Sequence, residues 1–217
     1  MRAILFDLDG TLIDSEPVWG AANTSLVHSR QGRVTEELLR SLSGLDSTLA
    51  MRYIHEQFGW VGHDIAADVA AVQQKVSQSY ARGVLWLPGA RELLTAVKAA
   101  GFRTGLVTST YRELVAYVLA EAGSDAFDVV VCGDDGHRPK PDPESYAVAA
   151  ARLGVPTGAC VAVEDSARGV ESAAAAGCLV LNVSSTVRSP LAHVHVASLR
   201  DVDVATFERL VGSPATV

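Results

Sequence analysis

Asp7 and Asp9 stand two residues apart at the end of an apolar run and are followed by Gly10 and Thr11. A second acidic pair, Glu164 and Asp165, ends another apolar run and precedes Ser166. Between the pairs come Thr108-Ser109-Thr110 after a third run, and Lys140, one of only three lysines, in the loop Arg138-Pro139-Lys140-Pro141-Asp142. If these runs are neighbouring strands, four acids, several hydroxyls and a lysine reach one sheet edge from separate segments. Four such acids repel, and burial would neutralise some of them unless a cation sat among them. A hard, oxygen-seeking cation fits, and Mg²⁺ fits best, because it takes few protein carboxylates and keeps waters and a phosphate oxygen in its octahedron. Lys140 and the hydroxyls are then left for a second anion, most simply a phosphoryl group in transfer. The Gly10 and Thr11 backbone amides are expected to close over it, since glycine permits close approach and successive N–H groups form an anion-binding concavity.

The elements that would position these residues are legible as a repeat. After residue 88, short β-branched runs at 104–107, 129–132, 160–163 and 179–183 alternate with helical patterns, and glycines follow the last helical turns at Gly101, Gly123, Gly154 and Gly177. Continuous apolar strands imply a sheet buried on both faces, and βα alternation implies parallel pairing. The expectation is an α/β fold: a doubly wound, Rossmann-like parallel sheet whose ligands bind beyond the carboxyl ends of the strands. The first strand, 3–6, stands ~80 residues ahead of its nearest partner in sequence, too far for one crossover connection. Residues 15–82 carry only helical signals, including Ser15-Glu16-Pro17, Thr35 before Glu36-Glu37, Ser47 as a cap before Leu49 to Phe58, and Ile65, Val69, Val72 and Val76 on one face. A small helical domain, 15–82, is therefore expected to interrupt a core made of 1–14 and 83–217, with return hinges near Gly83 and Pro88-Gly89.

Composition narrows the partners. The 217 residues are 48% hydrophobic and carry 25 acids against 18 bases, a formal charge of −7. Clustered bases are what hold nucleic-acid phosphates and anionic membranes, so neither is expected as a partner. The longest uncharged apolar stretch, 173–181, is far short of the ~20 residues that span a bilayer. Cys132, Cys160 and Cys178 are odd in number, widely spaced and set in apolar runs, which suits small core residues. The expectation is a cytoplasmic protein, monomeric or weakly dimeric, acting on a small molecule.

Taken in order, Asp7-Leu8-Asp9-Gly10-Thr11-Leu12, Leu106-Val107-Thr108-Ser109, Lys140-Pro141-Asp142-Pro143 and Glu164-Asp165-Ser166-Ala167-Arg168-Gly169 resemble the four motifs of the haloacid dehalogenase (HAD) superfamily. Over residues 1 to about 185 the chain is similar to the sugar-phosphatase and β-phosphoglucomutase branch, with a helical cap after the first motif. That resemblance implies that Asp7 is the nucleophile that becomes an aspartyl-phosphate, and that Asp9 protonates the leaving oxygen and then activates water. It further implies that Asp7, the Asp9 backbone carbonyl and Asp165 hold Mg²⁺ with help from Glu164, and that Thr108 and Lys140 hold phosphoryl oxygens, with Ser109, Gly10 and Thr11 around the phosphate.

In the cap, the resemblance puts Trp19 towards the site and a substrate-sorting loop at Ser43-Gly44-Leu45-Asp46. The expected activity is Mg²⁺-dependent hydrolysis of a singly phosphorylated sugar or polyol. A hexose phosphomutase is the alternative; it would need basic cap residues, for which Arg40 and Arg52 are the candidates. Of the histidines, His28, His55 and His63 are expected on cap surfaces, and only His137 falls near Lys140.

Overall fold

The structure, a computed structural model, describes residues 2–212. Six strands, β1 (Ala3–Phe6), β2 (Arg103–Val107), β3 (Val129–Val131), β4 (Cys160–Glu164), β5 (Leu179–Val183) and β6 (Val194–Val196), form one parallel sheet in the order β3-β2-β1-β4-β5-β6. Side chains alternate across it, and both faces are covered. Ile4, Phe6, Leu106, Val161 and Val163 belong to one buried cluster, whereas Ala3, Leu5, Val107, Cys160 and Ala162 belong to the other. Helices α5 (Ala90–Ala99), α6 (Arg112–Ala122) and α9 (Val204–Gly212) place Leu94, Val118 and Phe207 on the first; α7 (Glu144–Leu153) and α8 (Ala167–Ala175) place Tyr146 and Val170 on the second. All three cysteines are buried and unpaired.

The strand order reverses direction between β1 and β4, the crevice where open α/β sheets bind ligands. Registers Phe6↔Leu106 and Phe6↔Val163 align the strand ends there, so Asp7 emerges between β2 and β4.

Between β1 and α5 lie only helices: α1 (Glu16–Ser29), α2 (Glu36–Leu42), α3 (Ser47–Phe58) and α4 (Ile65–Tyr80). The connections into and out of this insertion run side by side, the Asp14 N–H donating to Leu85 O (2.8 Å) and the Leu87 N–H to Leu12 O (2.9 Å). No described helix is long and apolar enough to cross a membrane.

Several local expectations are corrected. The N-cap of α3 is Asp46, whose Oδ1 accepts the Thr48 and Leu49 N–H groups, rather than Ser47. Trp19 lies in the first turn of α1. Glu164 is the last residue of β4 rather than the first beyond it. β6 and α9 occupy the weakly patterned tail; β6 is short and half-buried, so it lacks the apolar run that marks a central strand. His55 is buried, not on the cap surface: its Nε2 lies 2.7 Å from Asp68 Oδ2, and Asp68 also receives both terminal nitrogens of Arg30. Burial raises the Asp68 carboxyl, but hydrogen bonds from Arg30 and His55 outweigh it and hold the group below its ordinary range.

Candidate active site

The buried centre of the cleft is a charge cluster that separate loops must deliver. Asp7 follows β1, Glu164 ends β4, and Lys140 comes from the β3–α7 loop, all at most 7% exposed. The Lys140 ammonium donates to Asp7 Oδ1 (2.7 Å), Glu164 Oε1 (2.6 Å) and Val107 O (3.0 Å). Tyr146 donates its hydroxyl to the same Glu164 oxygen (2.6 Å), and Ser166 donates to Glu164 Oε2 at 3.3 Å. The Arg168 guanidinium donates to the Lys140 carbonyl and so holds the lysine loop from α8.

Asp7, Glu164 and Asp165 each place a carboxylate oxygen within 4.8 Å of the others. One ammonium against two buried carboxylates and a half-buried third leaves the cluster over-acidic. Burial, then Glu164, pushes the Asp7 carboxyl up to about 7 despite Lys140. Burial, then Asp7, pushes Asp165 up to about 9. Lys140 is raised as well: burial alone would lower it, but Asp7 and Glu164 together outweigh burial and keep it cationic. Groups that must hold protons when bare are a donor set suited to a hard cation, since a cation would release those protons. Asp7 Oδ2 has no hydrogen-bond partner among the described residues, which leaves it free to act.

Gly10 makes the approach of Asp165 possible. Its φ is +79°, and a Cβ there would lie 2.2 Å from Asp165 Oδ2, so the position demands glycine for both conformation and space. The backbone amides of this turn are spent, however. The Gly10 N–H donates to Ile13 O (2.9 Å) and the Thr11 N–H to Leu8 O (3.3 Å), so in this conformation neither meets an anion as expected. Thr11 is fully buried and reaches Asp165 Oδ1 only through its hydroxyl, at 3.5 Å.

Asp9 turns away from the lysine cluster towards hydroxyls and the cap. Its Oδ2 accepts from Thr110 Oγ1 (2.6 Å) and Thr108 Oγ1 (3.4 Å), and its Oδ1 accepts from Trp19 Nε1 (3.3 Å). The sequence places Thr110 among the hydroxyls of this loop without giving it a role; its contact with Asp9 is what the structure adds. Tyr80, at the end of α4, lies behind this site: burial followed by the Asp9 charge drives its phenol above its ordinary range.

Asp7, Asp9, Lys140, Asp165, Ser109 and Thr110 line one side of a cavity of about 280 Å³, and Trp19, Ser43, Gly44 and Arg40 line the other. Gly44 (φ +73°) brings the cap loop against the core, where a Cβ would lie 3.2 Å from Ser166 Cβ. Thr108 lines a smaller cavity of about 180 Å³ that shares Ser109 and Lys140 with the first. Glu164 lines neither; it sits beneath Lys140. Arg52 is exposed and also lines neither, while His137 is held by the carbonyls of Cys132 and Arg138 and lines only the smaller cavity.

Residues 1–177 match the model of the haloacid dehalogenase-like hydrolase family. Hexitol phosphatase A of Escherichia coli is 34% identical over 189 residues, covering 87% of this chain and 86% of that protein. The crystal structure of CbbY from Rhodobacter sphaeroides in complex with xylulose-(1,5)-bisphosphate is 25% identical with a TM-score of 0.80, over 95% of this chain and 99% of that one. The fold is also that of β-phosphoglucomutase from Clostridium difficile, with a TM-score of 0.86 at 22% identity over 98% and 97% of the two chains.

Proposed function

The chain belongs to the haloacid dehalogenase-like hydrolase family and is a phosphoric monoester hydrolase; we propose that it removes the phosphate from a small sugar or polyol monophosphate through an aspartyl-phosphate on Asp7. The observation that carries this reading is the buried Asp7–Lys140 pair with a free Asp7 Oδ2 facing the cavity. Oδ1 is anchored by the ammonium, so Oδ2 is oriented for in-line attack on phosphorus. Lys140 and the hydroxyls of Thr108 and Ser109 receive the phosphoryl oxygens, and the fixed ammonium stabilises charge as it builds on them.

Asp7, Asp165 and the Asp9 backbone carbonyl suit Mg²⁺, with Glu164 acting beneath them through Lys140. Bound there, the ion supplies positive charge that offsets repulsion between the ester oxygens and the carboxylates. Asp9 gives its proton to the departing alcohol oxygen, and the Thr110, Thr108 and Trp19 donors then stabilise the carboxylate left behind. In the second half-reaction the same carboxylate takes a proton from the water that attacks the phosphoaspartate.

The cavity is at the low end of the roughly 300–1,000 Å³ usual for small-molecule sites, which suits a compact monophosphate better than a nucleotide. A bisphosphate, or the transfer back to a bound sugar that a mutase performs, needs bases in the cap. Among the described cap residues only Arg40 brings a base to the cleft wall, and its Nε already reaches Glu36 O at 3.4 Å. The Ser43 hydroxyl donates to Glu16 (2.9 Å), so acid and hydroxyl stand where a second phosphate would sit.

Phosphate release measured with Mg²⁺ across hexitol, hexose, pentose and glycerol monophosphates, a hexose bisphosphate and a nucleoside monophosphate tests the reading. The expected result is highest kcat/KM on a sugar or polyol monophosphate, with a phosphoaspartate trapped by acid quench at Asp7 and located by peptide mass spectrometry. Asp7→Asn should abolish both signals, and Asp9→Asn should cost about 10²-fold or more in rate. A preference for the bisphosphate, or isomerisation of an aldose 1-phosphate faster than phosphate release, would overturn it.

A further inference from the structure

Beyond Trp19 the cavity continues into the helical insertion, and its lining changes character. The cap residues at its mouth, Glu16, Arg40 and Ser43, are polar and exposed. The buried cap residues that line it are Leu42, Ala50, Met51, Val69 and Val72, with two polar side chains among them, Ser15 at the start of α1 and Asn23 deeper in the helix. Asn23 is 6% exposed, and its carboxamide has no hydrogen-bond partner among the described residues. It follows Trp19 by four positions on α1, so the two share a helix face. Trp19 in turn donates to Asp9. A path therefore runs from the reacting carboxylates past the Trp19 indole to a buried amide whose neighbours on the chamber wall are mostly apolar.

The Asn23 amide opens on the cavity and finds its hydrogen bonds in whatever occupies it, whereas the Leu, Met and Val side chains around it offer nothing to additional hydroxyls. A fully hydroxylated carbon chain entering this chamber would leave hydroxyls unpaired, each weakening binding about tenfold or more. Resting on the phosphatase reading above, we infer that the alcohol released is partly deoxygenated: a small polyol or sugar with a methyl or deoxy carbon against Met51 and Val72, and one hydroxyl or carbonyl oxygen on the Asn23 amide. Asn23 is then a specificity-determining residue, and Trp19 supplies the flat apolar wall between it and Asp9.

The test is a deoxygenation scan. Hexitol 1-phosphate and its analogues lacking one hydroxyl at each of carbons 2 to 6 are compared by kcat/KM on the wild-type enzyme with Mg²⁺, and by calorimetric binding to Asp7→Asn protein. At least one analogue should exceed the parent by about tenfold, and another, lacking the hydroxyl that meets Asn23, should fall below it by a similar factor. Adding Asn23→Leu should erase the second difference and keep the first, the effect residing in KM. If every deoxygenation weakens both measures, or if Asn23→Leu shifts all analogues by one common factor, the inference is wrong. Should the wild type release no phosphate from any analogue while the binding preferences persist in Asp7→Asn protein, the catalytic reading fails and this one stands.

Discussion

The Thr110 hydroxyl donates to Asp9 Oδ2 at 2.6 Å, the shortest hydrogen bond that Asp9 receives. Together with Trp19 on the other oxygen it fixes the carboxylate between core and cap. Thr110 does not reach the lysine cluster, so it acts through Asp9 rather than on the phosphoryl group. Thr110→Val should lower kcat by about tenfold, part of the 10²–10⁴-fold that general acid–base catalysis supplies, with little change in KM. Thr110→Ser, which restores the donor, should recover most of the loss. Equal kcat in wild type and Thr110→Val would assign the orientation of Asp9 to Trp19 and Thr108 alone.

Metal dependence should appear in stability as well as in turnover. Asp7 and Asp165 have folded-state values of about 7 and about 9, raised above those of an unfolded chain. The native state thus binds protons that the unfolded state has released, so stability declines as pH rises from the ordinary carboxylate range through 7 and towards 9. Metal-free protein should show a falling Tm over that window, and Mg²⁺ should raise Tm by an amount that grows with pH, since the ion replaces those protons. A metal-free Tm that is flat from pH 6 to 9 would contradict this. Excess chelator should abolish phosphate release.

Glu164 and Asp165 are adjacent in sequence but should separate by function. Glu164 is fully buried and committed to Lys140, Tyr146 and Ser166, whereas Asp165 lines the cavity. Asp165→Asn should weaken metal affinity, read by isothermal titration, by about 100-fold. Glu164→Gln should leave metal affinity nearer wild type and cost about tenfold in activity, as losses of a supporting partner do. The reverse ordering would make Glu164 the metal ligand.

Asp68 pins the cap. It accepts both Arg30 terminal nitrogens and faces His55 across 2.7 Å, joining α1, α3 and α4. Asp68→Ala leaves two cationic or polar groups without their carboxylate and should cost about 2–3 kcal/mol, less than a fully buried pair because Arg30 keeps some contact with water. In the wild type the same contribution is present above the ordinary carboxylate pKa and is lost as pH falls below it, because the folded-state value of Asp68 is depressed. Chemical denaturation at neutral pH and at pH 3 measures both; a difference between the proteins that stays constant with pH would count against the ion pair.

The sequence by itself determined the parallel sheet, the helical insertion and which residues stand at the strand ends. Apolar runs and glycine stops are local signals, and in a parallel sheet every strand delivers its carboxyl end to one edge. That is why Asp7, Asp9, Thr108, Lys140 and Asp165 could be placed together from segments more than 100 residues apart. Only the tertiary structure decided what each polar atom meets. Glu164 lies under Lys140 because the β1–β4 register carries β4 one residue further; Gly10 and Thr11 use their amides within their own turn; and Asp9 faces Thr110 and Trp19. His55 and Asn23 lie on helix faces whose burial depends on which neighbours the cap packs against them, a choice made by inter-helix contacts that no local periodicity encodes.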